Sequence, residues 1–328
     1  MFWQRAWYRS GLDFRLIILW PLMIVFIALS WLRRALYRIG VLPTYRAPVP
    51  VVIIGNISVG GTGKTPVTEA VVKWAQQQGY SPAIISRGYG GQGPFPQQVT
   101  TTSQAEVVGD EPKLLAQRTG VPIVVSPNRE QAITTLLQNA PQVNLIISDD
   151  GLQHYRLARD IEIVVIDGER GLGNGWRLPL GPLREPKQRL RQADIVVQNG
   201  GAESLYGWRF SLQPDSWRRV NDHQEVSVPQ GASIAVAGIG NPQRFFDTLK
   251  QAGVTVTETY AYADHHPFSA ADFASIAPAT NILMTEKDAA KCQVFAQDNW
   301  FYLPVSANFE DGFWQQLQTC LQKVSYKE

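Results

Sequence analysis

The run VVIIGNISVGGTGKTP, Val51 to Pro66, constrains the fold of this chain more than any other stretch. An apolar strand, Val51 to Gly55, feeds a turn built from Gly60, Gly61, Thr62, Gly63, Lys64 and Thr65, and a helical pattern follows from Lys64 to Gly79. Glycines allow consecutive backbone N–H groups to converge on one point, which is how a phosphate is cradled. In such a loop, opened by Ser58 and Val59, Lys64 reaches the β- and γ-phosphates and Thr65 ligates Mg²⁺. The strict spacing asks for glycine at position 58, where this chain has serine. A serine tolerates a non-glycine conformation, so the departure weakens the pattern more than the physics. Pro66 falls in the first helical turn, where its missing N–H is not needed. The competing explanation, a chance glycine turn, fits poorly with a strand before and a helix after.

The rest of the chain keeps the same alternation. Strand candidates are Ala83–Ser86, Ile123–Val125, Leu145–Ser148, Ile161–Ile166 and Ile195–Gln198, several of them separated by helical patterns, and residues 88–98 are a Gly-, Pro- and Gln-rich loop. Strands spaced by helices predict an α/β fold with a parallel sheet covered on both faces. A second α/β stretch opens with SIAVAGIG near Ser233, followed by a helix from Pro242, strands near Val254 and at Asn281–Met284, and a last helix from Phe309. The expected division is an N-terminal segment of residues 1–47, a phosphate-loop domain of residues 48–228, and a smaller α/β domain of residues 229–328.

Residues Leu16 to Leu32 carry no charge. As a helix they would be about 26 Å long, at the short limit for a bilayer core of about 30 Å. Cationic residues flank both sides, Arg5, Arg9 and Arg15 before and Arg33, Arg34, Arg38 and Arg46 after, and Trp3, Trp7, Trp20 and Trp31 cluster here as interface residues do. A membrane-spanning or deeply inserted helix is expected; a buried core helix is the alternative. The formal net charge of +2 gives nucleic-acid binding no electrostatic support. Cys292 and Cys320, the two cysteines, offer neither a disulfide framework nor a metal cluster.

An apolar strand ends on Asp149 and Asp150 in LIISDDGLQH, at the end of the sheet where open α/β folds bind ligands. One carboxylate is expected on Mg²⁺; a helix N-cap is the alternative for the other. His154 is equally readable as substrate-facing or structural. GIGNPQ, Gly238–Gln243, raises a dinucleotide-binding alternative, but it lacks the third glycine of that fingerprint.

Further segments stand in order beside the phosphate loop: SRGYGG, GDEPKLLA, DDGLQH, LPLGPLREP, AGIGNPQRFF, DHHPFS and TEKDAAK. Together with GNISVGGTGKTP this set closely resembles the tetraacyldisaccharide 4'-kinase family over nearly the whole chain. The resemblance implies a P-loop fold, ATP and Mg²⁺ as cofactors, and phosphorylation of the 4'-hydroxyl of an acylated glucosamine disaccharide 1-phosphate to give lipid IVA, at the cytoplasmic face of the bacterial inner membrane. It assigns Asp110 as catalytic base with His265 as its partner, Lys64 and Arg184 as further catalytic residues, and Thr65, Asp149, Asp150 and Glu185 to the metal side of the site. Before the resemblance, Asp110 reads first as a helix cap with Glu111 in the first turn, Arg184 and Glu185 can be a surface ion pair, and Lys287 and Lys291 either phosphate contacts or a solvated helix face. With Asp110 and His265 on different domains, domain closure on substrate binding is expected. The rival activity is a membrane-associated P-loop switch ATPase, in which a lysine stands where this chain has Val59.

Overall fold

The computed structural model describes residues 6–9, 13–201 and 203–325; Trp3 and Arg5 lie outside them. Its strands, in chain order, are β1 Val51–Gly55, β2 Pro82–Ser86, β3 Gln97–Val99, β4 Ile123–Val125, β5 Leu145–Asp149, β6 Ile161–Asp167 and β7 Ile195–Asn199. There follow β8 Trp208–Pro214, β9 Arg218–Arg219, β10 Ser233–Ala237, β11 Val256–Ala261, β12 Asn281–Thr285, β13 Trp300–Leu303 and β14 Val305–Phe309.

The larger sheet runs β14-β8-β7-β6-β1-β5-β2-β4-β3 and is parallel except at its two edges, β3 and β14. β1 lies at its centre and is buried on both faces. Because strand side chains alternate, Val52 and Ile54 enter one core while Val51 and Ile53 enter the other. The first core is covered by the helices Lys64–Gln77 and Asp110–Thr119, through Val67, Val71, Val72, Ala75 and Leu115. The second is covered by the helix Arg129–Asn139, through Ala132, Ile133 and Leu136. The smaller sheet, β11-β10-β12-β13-β9, is parallel except for β9, and carries the helices Pro242–Gln251 and Glu286–Cys292.

A cut at residue 229 does not separate these two lobes. β9, with Trp217 and Val220, already belongs to the smaller sheet and its cores, while β14 returns to the larger one. The last helix, Asp311–Ser325, returns as well: Phe313, Leu317 and Leu321 are buried in the first core. Each such side chain contributes roughly 2 kcal/mol of burial, which commits the C-terminus to the larger lobe. The chain therefore crosses between lobes twice, at adjacent points, with Asp215 N donating to Pro304 O at 2.9 Å.

Ahead of both lobes, a 3₁₀ segment Phe14–Leu19 continues into the α-helix Trp20–Arg38, with Pro21 accommodated at its start. The helix lies along the body: Leu16 and Met23 pack with Leu180, Arg177 sits 5.4 Å from the Phe26 ring centroid, Arg34 donates to Gln192, and Tyr37 meets Tyr155. Leu16, Met23, Phe26, Arg34 and Tyr37 are separated by seven, three, eight and three residues, close to whole helical turns, and form one stripe. The opposite face is apolar and exposed, with Ile18 81%, Leu29 61% and Trp31 71% accessible. A buried core helix is thereby excluded, and Phe14–Arg38 is long and apolar enough to cross a membrane.

Candidate active site

The parallel register brings the chemistry of two strands to one level. Ile54 of β1 pairs with Asp149 of β5, so the turn after β1 opens beside the paired carboxylates. Gly60 (φ 108°) and Gly63 (φ 93°) take backbone conformations that other residues rarely adopt, and a Cβ at Gly63 would lie 2.5 Å from Asn199 Nδ2. Ser58 is not among the residues of positive φ; it forms a bridge to Leu183, and Val59 N donates to Pro182 O at 2.8 Å. A glycine at 58 is therefore unnecessary here. Thr62 is buried with its hydroxyl unpartnered, and Asn199 Nδ2 donates to its carbonyl at 3.1 Å.

Lys64 Nζ lies 3.5 Å from Asp150 Oδ1, which is also 3.8 Å from Arg184 NH1. Burial alone would raise the Asp150 pKa, but Lys64 and Arg184 outweigh it and hold the carboxyl below its usual range. Asp149 behaves oppositely. Fully buried, with Glu111 and Asp150 nearby, its carboxyl is pushed up to about 7 despite Lys64 and a hydrogen bond from Thr68 Oγ1 at 2.9 Å. Two adjacent acids are thus moved in opposite directions, one raised by burial and neighbouring acids, the other lowered by cations. Asp149 Oδ2 is buried without a hydrogen-bond partner, and Asp150 Oδ1 has only the loose ion pairs to Lys64 and Arg184. With Thr65 beside Lys64, this is a donor set that fits Mg²⁺, which takes few protein ligands and completes its shell with water and phosphate. Glu185 does not join it. Its carboxylate is buried and held by Arg189 Nε at 3.2 Å and Gln153 Nε2 at 2.8 Å, away from Asp150. Arg184 lines the cleft, while Glu185, at the next position of the same bend, is taken up by Arg189 and Gln153.

The smaller lobe closes the cleft from above. Asp110 Oδ2 lies 3.3 Å from His265 Nδ1 and 3.3 Å from Lys291 Nζ. Lys287 Nζ reaches Glu111 at 3.2 Å, Asp264 at 3.5 Å and His265 Nε2 at 3.2 Å. An ammonium only donates, so Nε2 accepts and the ring proton sits on Nδ1, donated to Asp110. Burial would raise the Asp110 and Glu111 pKa values. The His265 hydrogen bond and the Lys291 and Lys287 charges lower the first; Lys287, Lys64 and His265 lower the second; both carboxyls stay below their usual range. His265 (φ 61°) and Asp150 (φ 47°) both hold left-handed backbone conformations, a strain that tends to collect at functional sites.

Lys287 and Lys291 are thus not a solvated face, since each is paired across the lobe interface. Arg118 continues that interface. It donates through Nε to both Glu286 oxygens at 2.9 and 3.0 Å, and also approaches Glu69 and Asp215 at 3.3 Å. Glu111, Asp264 and Arg118 were not singled out from the sequence; the spacing of Glu286, Lys287 and Lys291 beside the acidic start of Asp110–Thr119 is the signal that pairs them. On the opposite side of the cleft Arg244 bonds Asp167 at 2.9 Å and Arg170 NH2 donates to Gly240 O at 2.8 Å. The glycine turn of GIGNPQ is therefore a partner of the phosphate loop: a Cβ on Gly240 would lie 2.8 Å from Gly61 N. Between the lobes remains a cleft of about 400 Å³ whose walls include Gly60–Thr65, Glu111, Asp150, Arg184, Asn241 and His265. His154 lies outside this wall, its pKa pushed down to about 4 by burial and by Arg129, Arg159, Arg33 and Arg156.

The chain is similar to proteins of known kind over nearly its whole length. The family profile described as Tetraacyldisaccharide-1-P 4'-kinase matches residues 15–322. The tetraacyldisaccharide 4'-kinase of Idiomarina loihiensis is 47% identical over 312 residues, covering 95% of this chain and 94% of that protein. That of Shewanella piezotolerans is 47% identical over 93% of each chain. Among solved structures, LpxK from Aquifex aeolicus in complex with ATP superposes with a TM-score of 0.74 at 28% identity, over 93% of this chain and 99% of that one.

Proposed function

This chain belongs to the tetraacyldisaccharide-1-P 4'-kinase family, and we propose that its inter-lobe cleft transfers the γ-phosphoryl group of ATP to the 4'-hydroxyl of an acylated glucosamine disaccharide 1-phosphate, giving lipid IVA at a membrane surface. The observation that carries the assignment of roles is the meeting of Asp110 and His265 across the interface, opposite a phosphate loop whose Lys64 is paired with Asp150. The switch-ATPase alternative is not favoured: Val59 stands where its lysine would be, and the relatives are named as kinases.

In this scheme the amides of Gly60–Thr65 bind the β- and γ-phosphates, and Lys64 exchanges its contact with Asp150 for a phosphate oxygen. Arg184, at the same carboxylate, stabilises charge on the phosphoryl group in flight. Mg²⁺, held by Thr65 and by Asp149 or Asp150, would supply Lewis-acid neutralisation of the phosphate oxygens. Asp110 accepts the proton of the attacking hydroxyl as the transition state forms, and His265, donating through Nδ1, fixes the orientation of that carboxylate. Its depressed pKa keeps Asp110 ionised and able to accept at neutral pH.

The exposed face of the helix Trp20–Arg38 suits a seat in the plane of a membrane, because its other face is already occupied by the body along its length. The α-helical part alone is roughly 28 Å long. Arg33 and Arg34, both near the Tyr155 ring, bring cationic charge to the end of this helix, where an anionic lipid headgroup would enter. The Arg-rich end favours the cytoplasmic leaflet of the inner membrane.

Transfer of labelled γ-phosphate to purified acylated disaccharide tests the scheme. Lys64→Ala and Asp110→Ala are each expected to lose on the order of 10²-fold or more in kcat. Full activity in either variant removes the role given to that residue; label that appears only as free phosphate restores the switch alternative.

A further inference from the structure

A peptide unit is planar, so fixing the carbonyl of one residue fixes the N–H direction of the next. Three carbonyls of the phosphate loop are held from outside by side chains. Asn56 Nδ2 donates to Gly60 O at 3.3 Å, Asn199 Nδ2 to Thr62 O at 3.1 Å, and the Tyr8 hydroxyl to Val59 O at 3.3 Å. These contacts orient the N–H groups of Gly61, Gly63 and Gly60 respectively, which are donors a phosphate would meet. Asn56 and Asn199 belong to the larger lobe itself. Tyr8 belongs to the segment ahead of the membrane-facing helix.

That segment is docked by its own contacts. Trp7 Nε1 donates to Pro179 O at 3.0 Å, Asn174 N donates to Trp7 O at 2.7 Å, and Ala6 is buried with Leu16, Met23 and Leu180. Tyr8 also carries a second contact: the Arg170 guanidinium lies 5.2 Å from its ring centroid. The same guanidinium donates to Gly240 O in the smaller lobe, and Gly240 packs on Gly61. One side chain therefore touches both a carbonyl of the loop and the arginine that ties the second lobe over it. Burial raises the Tyr8 pKa, so the hydroxyl keeps its proton and remains a donor.

We propose that Tyr8 is a positioning residue for the phosphate-binding loop, and that through it the segment ahead of the membrane-facing helix takes part in nucleotide binding. This rests on the assignment of the loop as the ATP site. A change in how residues 6–9 sit is then felt at the Gly60 amide.

The test uses the full chain in mixed micelles, with Tyr8→Phe and Tyr8→Leu. Tyr8→Phe keeps the ring beside Arg170 and removes the hydroxyl; Tyr8→Leu removes both contacts. KM for ATP is expected to rise about 5-fold in Tyr8→Phe, the worth of one neutral hydrogen bond, and further in Tyr8→Leu. KM for the lipid acceptor and recovery on phospholipid vesicles should stay at the parent values. An unchanged KM for ATP in Tyr8→Leu overturns the proposal, and so does an equal loss in every parameter together with thermal stability, which marks a merely structural contact. Lys64→Ala runs alongside. If it too leaves KM for ATP unchanged, the loop assignment fails; if it raises KM while Tyr8→Leu does not, only the role of Tyr8 fails.

Discussion

Replacing Lys287 by methionine probes the electrostatics of the lobe interface most directly. Its ammonium lies 3.2 Å from Glu111, 3.5 Å from Asp264 and 3.2 Å from His265 Nε2, with 16% of the side chain exposed. At an effective dielectric of about 20, a pair 3.2 Å apart attracts by roughly 5 kcal/mol before desolvation is counted. Removing one partner of a buried pair costs about 3–5 kcal/mol. Glu111 is 30% exposed, so water recovers part of that, and about 2 kcal/mol remains. Expressed in kcat/KM, that is a loss of about 30-fold. A second effect carries a sign. Lys287 is the leading charge that lowers the Glu111 pKa, and it helps lower that of Asp110. Depressed carboxyl pKa values confer stability and activity above the unfolded values that are lost as pH falls through the folded ones. Methionine weakens the depression, so the acid limb of the pH–kcat/KM profile must move to higher pH. The assay is phosphoryl transfer to the acylated disaccharide across the acidic and neutral range, beside the same profile for a remote Lys→Met control. An acid limb that stays in place, whatever the loss at neutral pH, refutes the argument that Lys287 tunes these carboxylates.

Three further outcomes follow from the geometry. Asp149 carries a raised pKa of about 7, so the folded state keeps a proton that the unfolded chain has lost, and stability falls as pH rises from about 4 to 7. Asp149→Asn should therefore raise the melting temperature of the nucleotide-free protein more at pH 8 than at pH 5 while abolishing transfer; equal shifts at both pH values contradict the assignment. Gly240→Val should separate the lobes, because even a Cβ there lies 2.8 Å from Gly61 N; scattering should show a more open particle, and an unchanged profile with normal kcat counts against the close approach. Glu185→Gln should leave the Mg²⁺ concentration dependence of activity unchanged and lower thermal stability, since that carboxylate serves Arg189; a shifted Mg²⁺ dependence would return it to the metal.

Much of the larger lobe was legible because its signals are local. A fully apolar strand running into glycines and a lysine admits few folds, and β1, β2, β4, β5, β6 and β7 all stand where apolar runs sit between helical patterns. The lobe boundary was not legible, because helical periodicity at Phe313, Leu317 and Leu321 says that a face is buried but not against which sheet. β8, β13 and β14 were missed as well; the β14 ladder depends on β8, a partner far away in sequence. Within the site, Lys64, Asp110, Asp150, Arg184 and His265 converge as expected. Glu185 was misplaced because its partners, Arg189 and Gln153, are set by the fold and not by its adjacency to Arg184. Lys287 and Lys291 read as phosphate contacts or a solvated face because their counter-charges, Glu111 and Asp110, lie on another helix.

The paired crossings at Asp215 and Pro304 make the smaller lobe a cassette. Its entry and exit strands are pinned side by side, so any swing of the lobe would turn like a page on a bound spine and resist twisting about it. For the same reason its two ends fit a linker of a few residues, and the larger sheet would keep its edge strand and its final helix after such an excision. A molecule wedged against the spine, far from the phosphates, would stall the swing without competing with nucleotide.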